Sequence, residues 1–534
     1  MKNDNSNIKS KHRLGASGTV ALMMLATVIA KGLGLLRSVL MANYYGAGML
    51  SNAFSEASHI PLTFFDLLFA TAISGCFIPV YNSFKRREDG SISEEADDFA
   101  CSFFNLVLLG AGIFAFLGIV FADVIVGVLG LDAETKALTV RLMRIMFPMI
   151  IFTGTAYTLT GVMQSRGEYL LPAMISALYN AAVIIYFLFF DGLLGENRIY
   201  GLAVAYLVGW FLQLLTLLIP LLKRGFKYKP ILNLRTPEMK KAIRLAPSIM
   251  IGSWFIPAAL LSAMFFTSFV SVDGAVTIYD YANTAFTMFA GTLTYSICNY
   301  AFPELSRLSS SGDDKAFNRT VRSGVLSVFA LVLPFMVFVM FLSPQIIAAL
   351  YMRGEFTAAG ACGSAGAFRI LIAAMPAFAV MELGSRVFYS KNLGKVPMKA
   401  AILGITVDVA VSFLFVESGI IELWGVNSVA VATVIGYYAA AAVIVAGAVR
   451  RIKGLFNANF GLQAFKLLIC TLLCAAVVWG VLWIISNFAG ELNPYSSDMI
   501  YNLIICVVTF IPAAAIYIIS LKALHVSFKG AEND

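Results

Sequence analysis

Apolar stretches of about 20 residues recur along the whole chain, separated by short polar segments. Each is long enough to cross a hydrocarbon core of ~30 Å as a helix rising about 1.5 Å per residue. In lipid the backbone must satisfy its own hydrogen bonds, and these runs are too long and too uniformly apolar for barrel strands. The pattern therefore predicts helical spans at 19–42, 57–82, 100–128, 138–163, 170–190, 200–222, 243–270, 276–302, 321–342, 367–389, 398–416, 426–449, 464–485 and 500–521. The expected fold class is an all-α polytopic membrane protein of about fourteen transmembrane helices.

Composition agrees with that reading: of 534 residues, 60% are hydrophobic and 13% charged. A soluble domain carries roughly 25% charged residues, so a soluble enzyme is excluded. The net charge of +8 does not call for nucleic acid, because the basic residues sort by topology. With the N-terminus in the cytoplasm, the inside segments collect Lys9, Lys11 and Arg13; Lys85, Arg86 and Arg87; Arg166; and the stretch Lys223–Arg244. Later inside loops add Arg307, Lys315, Arg319, Arg322, Lys391, Lys395, Lys399, Arg450, Arg451, Lys453, Lys522 and Lys529, while outside loops keep Lys136, Arg198 and Arg353. This asymmetry predicts an even number of spans in a cytoplasmic membrane, with both termini inside. The basic stretch 223–244 reads as topology and attraction to anionic membrane lipids. The start of the chain reads as an uncleaved first span, since no A-x-A-like site follows it. The seven cysteines lie scattered, mostly in apolar runs and without metal-ligand spacing, so they read as packing.

The chain also repeats itself with a period near 225 residues. Arg144-Ile145 recurs as Arg369-Ile370, Ser165 as Ser390, Pro172 as Pro397, and Leu35-Leu36 as Leu260-Leu261. Ala203, Ala205 and Gly209 match Ala430, Ala432 and Gly436 at an offset of 227. Six spans per copy give both copies the same orientation, which implies a pseudo-two-fold axis along the membrane normal and a cavity between two lobes. The expected divisions are a cytoplasmic segment 1–16, lobes at 17–235 and 236–455, an appended helix pair at 456–523 and a cytoplasmic tail 524–534.

Charges inside spans each need a reason, at about 2.5–3.5 kcal/mol apiece on insertion scales. Lys31 and Arg37 lie deep in the first span, and Glu56, His59 and Asp66 fall broadly along one face of the second. These point to a polar cavity, with His59 a candidate proton site against the simpler reading of packing. Arg141, Arg144, Asp280, Arg369 and Arg386 lie near span ends, where snorkelling suffices. Glu382 shares a span with Arg369 and Arg386, and Asp408 is open between a cavity role and a local pairing. No phosphate-binding loop, HExxH or G-x-S-x-G elbow occurs, so secondary transport is the expected class. No cofactor or metal is expected; a coupling ion is left open.

The stretch AKGLGLLRSVLMANYYGAGMLSNAF (30–54), the FIPVY at 77–81, FPELSRL (302–308), YMRGEFTAAG (351–360) and RVFYSKNLGKVPMKAA (386–401) resemble the MurJ/MviN family. The resemblance runs from about residue 18 to 455, and the last two spans match in number only. It implies two six-helix lobes plus two C-terminal helices, a lateral groove for a polyprenyl chain and a cationic central cavity. It also implies flipping of lipid II, the undecaprenyl-diphosphate-linked peptidoglycan precursor, with wall-synthesis proteins as possible neighbours. Residue by residue, Arg37 takes the place of the family's first-span cavity arginine and Lys31 that of a second. Asn52 stands where an aspartate is common, Phe65 (beside Asp66) where the second span has arginine, Thr284 where the eighth has arginine, and Ala70 where a glutamate occurs. The expected substrate-binding set is Arg37, Lys31, Asn52, Asp66, Thr284 and Arg369, with Arg369 or Arg386 a candidate substitute cation. Other readings stay open: a flippase for another polyprenyl-linked glycan, a MATE-like ion-coupled exporter using Asp66 and Glu56, or a scaffold of a wall-synthesis complex.

Overall fold

The computed structural model describes residues 16–70, 73–84, 93–488 and 493–528. The basic N-terminal segment with Lys9, Lys11 and Arg13, the loop cations Lys85, Arg86 and Arg87, and Lys529 lie outside the described residues. Among the described residues the structure is helical throughout, without strands. The first half contains α1 (Ala16–Tyr45), α2 (Met49–Phe65), α3 (Glu94–Val120), α4 (Ala133–Met146), α5 (Met149–Ser165), α6 (Ile175–Phe189) and α7 (Arg198–Lys223). The second contains α8 (Pro237–Ser253), α9 (Phe255–Thr267), α10 (Ala275–Ser311), α11 (Asp314–Tyr351), α12 (Ala358–Ile372), α13 (Met375–Ser390), α14 (Lys395–Glu417) and α15 (Val426–Arg451). The last two long helices are α16 (Ala458–Phe488) and α17 (Met499–Ala523).

Among the described residues ten rods are long and apolar enough to cross a membrane, or up to twelve if the bent pairs α8–α9 and α12–α13 each count as one span. This is a multi-pass membrane protein. The measure leaves two of the fourteen expected spans uncounted. Of these, α6 holds only 15 residues, and α10, at 37 residues, carries Thr277, Asp280, Asn283, Thr284, Thr287 and Thr292 among its apolar positions.

Several expected spans are broken, and at three of the breaks a proline lies just beyond. Pro148 follows α4, Pro257 follows the 53° bend at Trp254, and Pro376 follows the 48° bend between α12 and α13. Proline lacks the N–H that would bond back one turn, so the ladder opens there. The second span departs differently: after α2 it continues through π-helical turns at Asp66–Ala70 and Ile73–Phe77.

The halves share a local build. Asp132 caps α4 through its carboxylate, and Thr357 caps α12 through its hydroxyl. Arg166 after α5 pairs with Asp97 in the first turn of α3 at 2.5 Å, and Lys391 after α13 pairs with Asp314 in the first turn of α11 at 2.6 Å. Where the halves meet, residues 225 apart touch. Asn52 Oδ1 accepts from the backbone N–H and the hydroxyl of Thr277, both at 3.0 Å, and the Ser55 hydroxyl donates to Asp280 at 3.4 Å.

One end of the bundle is sealed by the turns joining α1 to α2, α3 to α4, α9 to α10 and α11 to α12. The Glu355 N–H donates to the Asn43 carbonyl (3.0 Å), the Tyr281 hydroxyl to the Gly46 carbonyl (3.3 Å) and the Gly130 N–H to Ser268 Oγ (2.8 Å). Gly46, Gly274 and Gly354 adopt φ of 57°, 76° and 54°. A Cβ at these positions would come within 3 Å of Glu355, Ala47 and Asn43 respectively, so the seal needs their missing side chains. Away from this axis, α16 and α17 pack on α11 and on each other. An apolar groove of about 600 Å³ runs between α10, α11 and α17, lined by Leu293, Ile297, Phe335, Phe338, Phe510 and Tyr517.

Candidate functional site: a polar cavity below the seal

Arg37 enters from α1 about two turns from the sealed end. Its guanidinium donates to the Tyr179 hydroxyl and lies over the Tyr179 and Tyr206 rings, 5.1 and 5.4 Å from their centroids. The stacking orients the cation and partly replaces its lost hydration. Its Nε is buried without a hydrogen-bond partner among the described residues. The group faces a cavity of about 90 Å³ lined also by Ser55, Ser58, His59, Asp280 and Thr284. That space holds a few waters rather than a lipid headgroup, so the cavity is contracted.

The other charges come from α2 and α10. His59 Nε2 lies 3.1 Å from Asp280 Oδ1. Glu56, one turn before His59, is 1% exposed, and neither of its carboxylate oxygens has a hydrogen-bond partner among the described residues. The expectation that Asp280 snorkels at a span end is corrected. Because α10 begins at Ala275, inside the seal, Asp280 lines the cavity. A usable sequence signal existed: Asp280 lies one repeat after Ser55, in the span that already carried Glu56 and His59.

The remaining candidates are dispersed. Arg37 and Thr284 share the cavity lining. Lys31 reaches from α1 to α10, its Nζ donating to Thr292 Oγ1 at 3.0 Å, farther from the seal. Asn52 is committed to Thr277 in the contact between halves. Asp66 is exposed at the first π turn, beyond the lining residues. Arg369 donates from Nε to Ser343 Oγ at 3.1 Å on α11, and Arg386 pairs with Glu382 at 2.8 Å over the Tyr295 ring. Neither lines the Arg37 cavity. Phe65 does not line it either: it is 1% exposed and packs on Phe69 and Tyr157. Asp408 is wholly buried, with Ser262 and Thr433 beside it. Arg144 pairs with exposed Asp123 at 2.5 Å, as a snorkelling end group should.

The profile of the family described as lipid II flippase MurJ matches residues 41–501. The chain belongs to that family. The match extends past the region where the sequence motifs were recognised, to the start of α17. A relative from Bdellovibrio bacteriovorus, named probable lipid II flippase MurJ, is 26% identical over 419 residues, covering 78% of each chain. A solved lipid II flippase MurJ in an inward closed conformation superposes with a TM-score of 0.77 at 21% identity, over 95% of this chain and 100% of that one. An inward-facing MATE-family multidrug resistance transporter of the MOP superfamily gives 0.64 at 17% identity, over 82% of this chain and 98% of that one. The MurJ family is a flippase family, so this chain is a transporter rather than an enzyme.

Proposed function

We propose that this protein flips lipid II from the inner to the outer leaflet of the bacterial cytoplasmic membrane by alternating access between its two halves. The observation that carries the reading, beside family membership, is Arg37: a desolvated, ring-stacked cation facing a closed cavity between the halves. A diphosphate cannot cross hydrocarbon unaided, and a guanidinium offers it short, charge-assisted hydrogen bonds. The apolar groove along α10, α11 and α17 suits the polyprenyl chain, which stays in lipid while the headgroup crosses. The positive-inside pattern puts both termini in the cytoplasm, so the sealed end faces outward. In that orientation the described state is shut toward the outside, and opening the seal would release the headgroup there. Wall-synthesis proteins that make and use lipid II are the partners this role implies.

The test is depletion of the protein in its host, with other lipid II flippases inactivated and outer-leaflet lipid II quantified by an impermeant probe. Loss of outer lipid II with accumulation inside supports the reading. Unchanged exposure refutes it and favours another polyprenyl-linked glycan, a reading suggested by the single arginine among the described cavity-lining residues.

A further inference from the structure

The cavity shows a mismatch between its charge and its proposed cargo. Arg37 is the one permanent cation among the described residues lining it, and Asp280 faces the same space. The two formal charges cancel. A lipid diphosphate carries at least two negative charges and needs more than that. His59 lines the same cavity, 3.1 Å from Asp280, and a proton on its ring makes the cavity net positive.

We infer that protonated His59 is the second cation of the lipid-diphosphate site, and that a proton therefore enters the cavity with the substrate. The inference rests on the flippase reading above. Two features of the surroundings suit it. Asp280 Oδ1 already lies 3.1 Å from one ring nitrogen, where its charge would stabilise the ring's charged form. Glu56, three residues earlier on the same face of α2, is sealed from solvent with both oxygens free. A carboxyl buried in a span without a hydrogen-bond partner is costly unless the site uses it, and here it can accept the ring's other N–H or exchange a proton with it.

The charged groups acting on His59 are Asp280 from α10, Arg37 from α1, and Glu56 and Asp66 from its own span. Tyr179 of α6 and Tyr206 of α7 face the same cavity, as does Tyr281 of α10. On α4, which packs against α2, Arg141 turns to Tyr200 and Arg144 to Asp123. The segment α9 contributes no charged side chain, and α5 only the phenol of Tyr157, near Asp66.

The experiment measures binding of undecaprenyl diphosphate to the purified full chain in detergent between about pH 5.5 and 8, the range where histidine changes charge. Undecaprenol serves as the uncharged control. Wild-type binding should weaken about tenfold across that range, the scale of losing one charge-assisted contact. His59→Arg should bind tightly with a flat profile, and His59→Gln weakly with a flat profile. Glu56→Gln should bind about threefold more weakly at the acid end, having exchanged a charged acceptor for a neutral one beside the charged ring. Tight, pH-independent wild-type binding overturns the inference without any variant, as does a His59→Gln protein that keeps the wild-type profile. If undecaprenyl diphosphate binds no better than undecaprenol at any pH, the flippase reading itself falls.

Discussion

Corresponding positions in the two halves surround opposite chemistry. In the first half Arg37 lies under the rings of Tyr179 and Tyr206. One repeat later, the position of Arg37 is Ser262 and that of Tyr206 is Thr433, and the charged group beside them is the buried Asp408. The scaffolding around these sites is shared, as the paired caps at Asp132 and Thr357 and the paired ion links Arg166–Asp97 and Lys391–Asp314 show. Duplication thus accounts for where a polar site can stand, and later substitution decides its sign. The cavity between the halves inherits the asymmetry: its cation comes from α1 and its permanent anion from α10.

Breaking the comparison most severely should be Phe65→Arg, which places a cation where the structure has packed aromatic rings. We expect a loss of at least ~3 kcal/mol and little folded protein by gel filtration; a monodisperse, active variant would mean that Phe65 borders the cavity. Gly46→Ala comes next, because the added Cβ meets Glu355 across the seal in a left-handed conformation. It should destabilise the sealed state by about 1–3 kcal/mol. The check is maleimide labelling of a Ser51→Cys reporter, a position now fully buried, which should rise several-fold. Lys31→Ala should lower flipping only about two- to fivefold, since Lys31 bonds a single threonine across α1 and α10. Lys31→Arg should be close to neutral in the same assay.

The smallest effect separates the two matched caps. Asp132→Ala and Thr357→Ala should each cost about 1 kcal/mol of thermal stability near neutral pH. Hydrogen bonds from the Thr135 hydroxyl and backbone N–H groups hold the Asp132 carboxyl below its ordinary value. Its contribution is therefore complete above the unfolded value near ~4 and fades as pH falls through the lower folded value. Once pH has fallen through that lowered value the Asp132→Ala deficit should shrink while the Thr357→Ala deficit stays, as a hydroxyl cap does not titrate.

Much of this was legible in the linear pattern. Apolar length located the rods, the 225-residue offset matched segments of the two halves, and the lipid-intolerant charges pointed to Arg37, Glu56 and His59. Asp280 escaped because an apolar run does not reveal where its helix begins relative to a seal formed by other segments. Asp66 escaped for a different reason. The π turns beginning at Asp66 change the number of residues per turn, so a face assigned by 3.6-residue periodicity no longer holds past that point. The dispersal of Arg369 and Arg386 follows from long-range packing, which sets whether a charge near a span end meets a cavity or a neighbouring side chain.

The central claim is that one half supplies the cation that carries the lipid diphosphate. Its most direct test is lipid II exposure on the outer leaflet of cells that depend on Arg37→Ala or on Ser262→Ala, with both proteins at wild-type abundance. Exposure should fall at least about tenfold for Arg37→Ala and stay within about twofold of wild type for Ser262→Ala. Normal exposure in Arg37→Ala cells, or equal losses in both, would contradict the account.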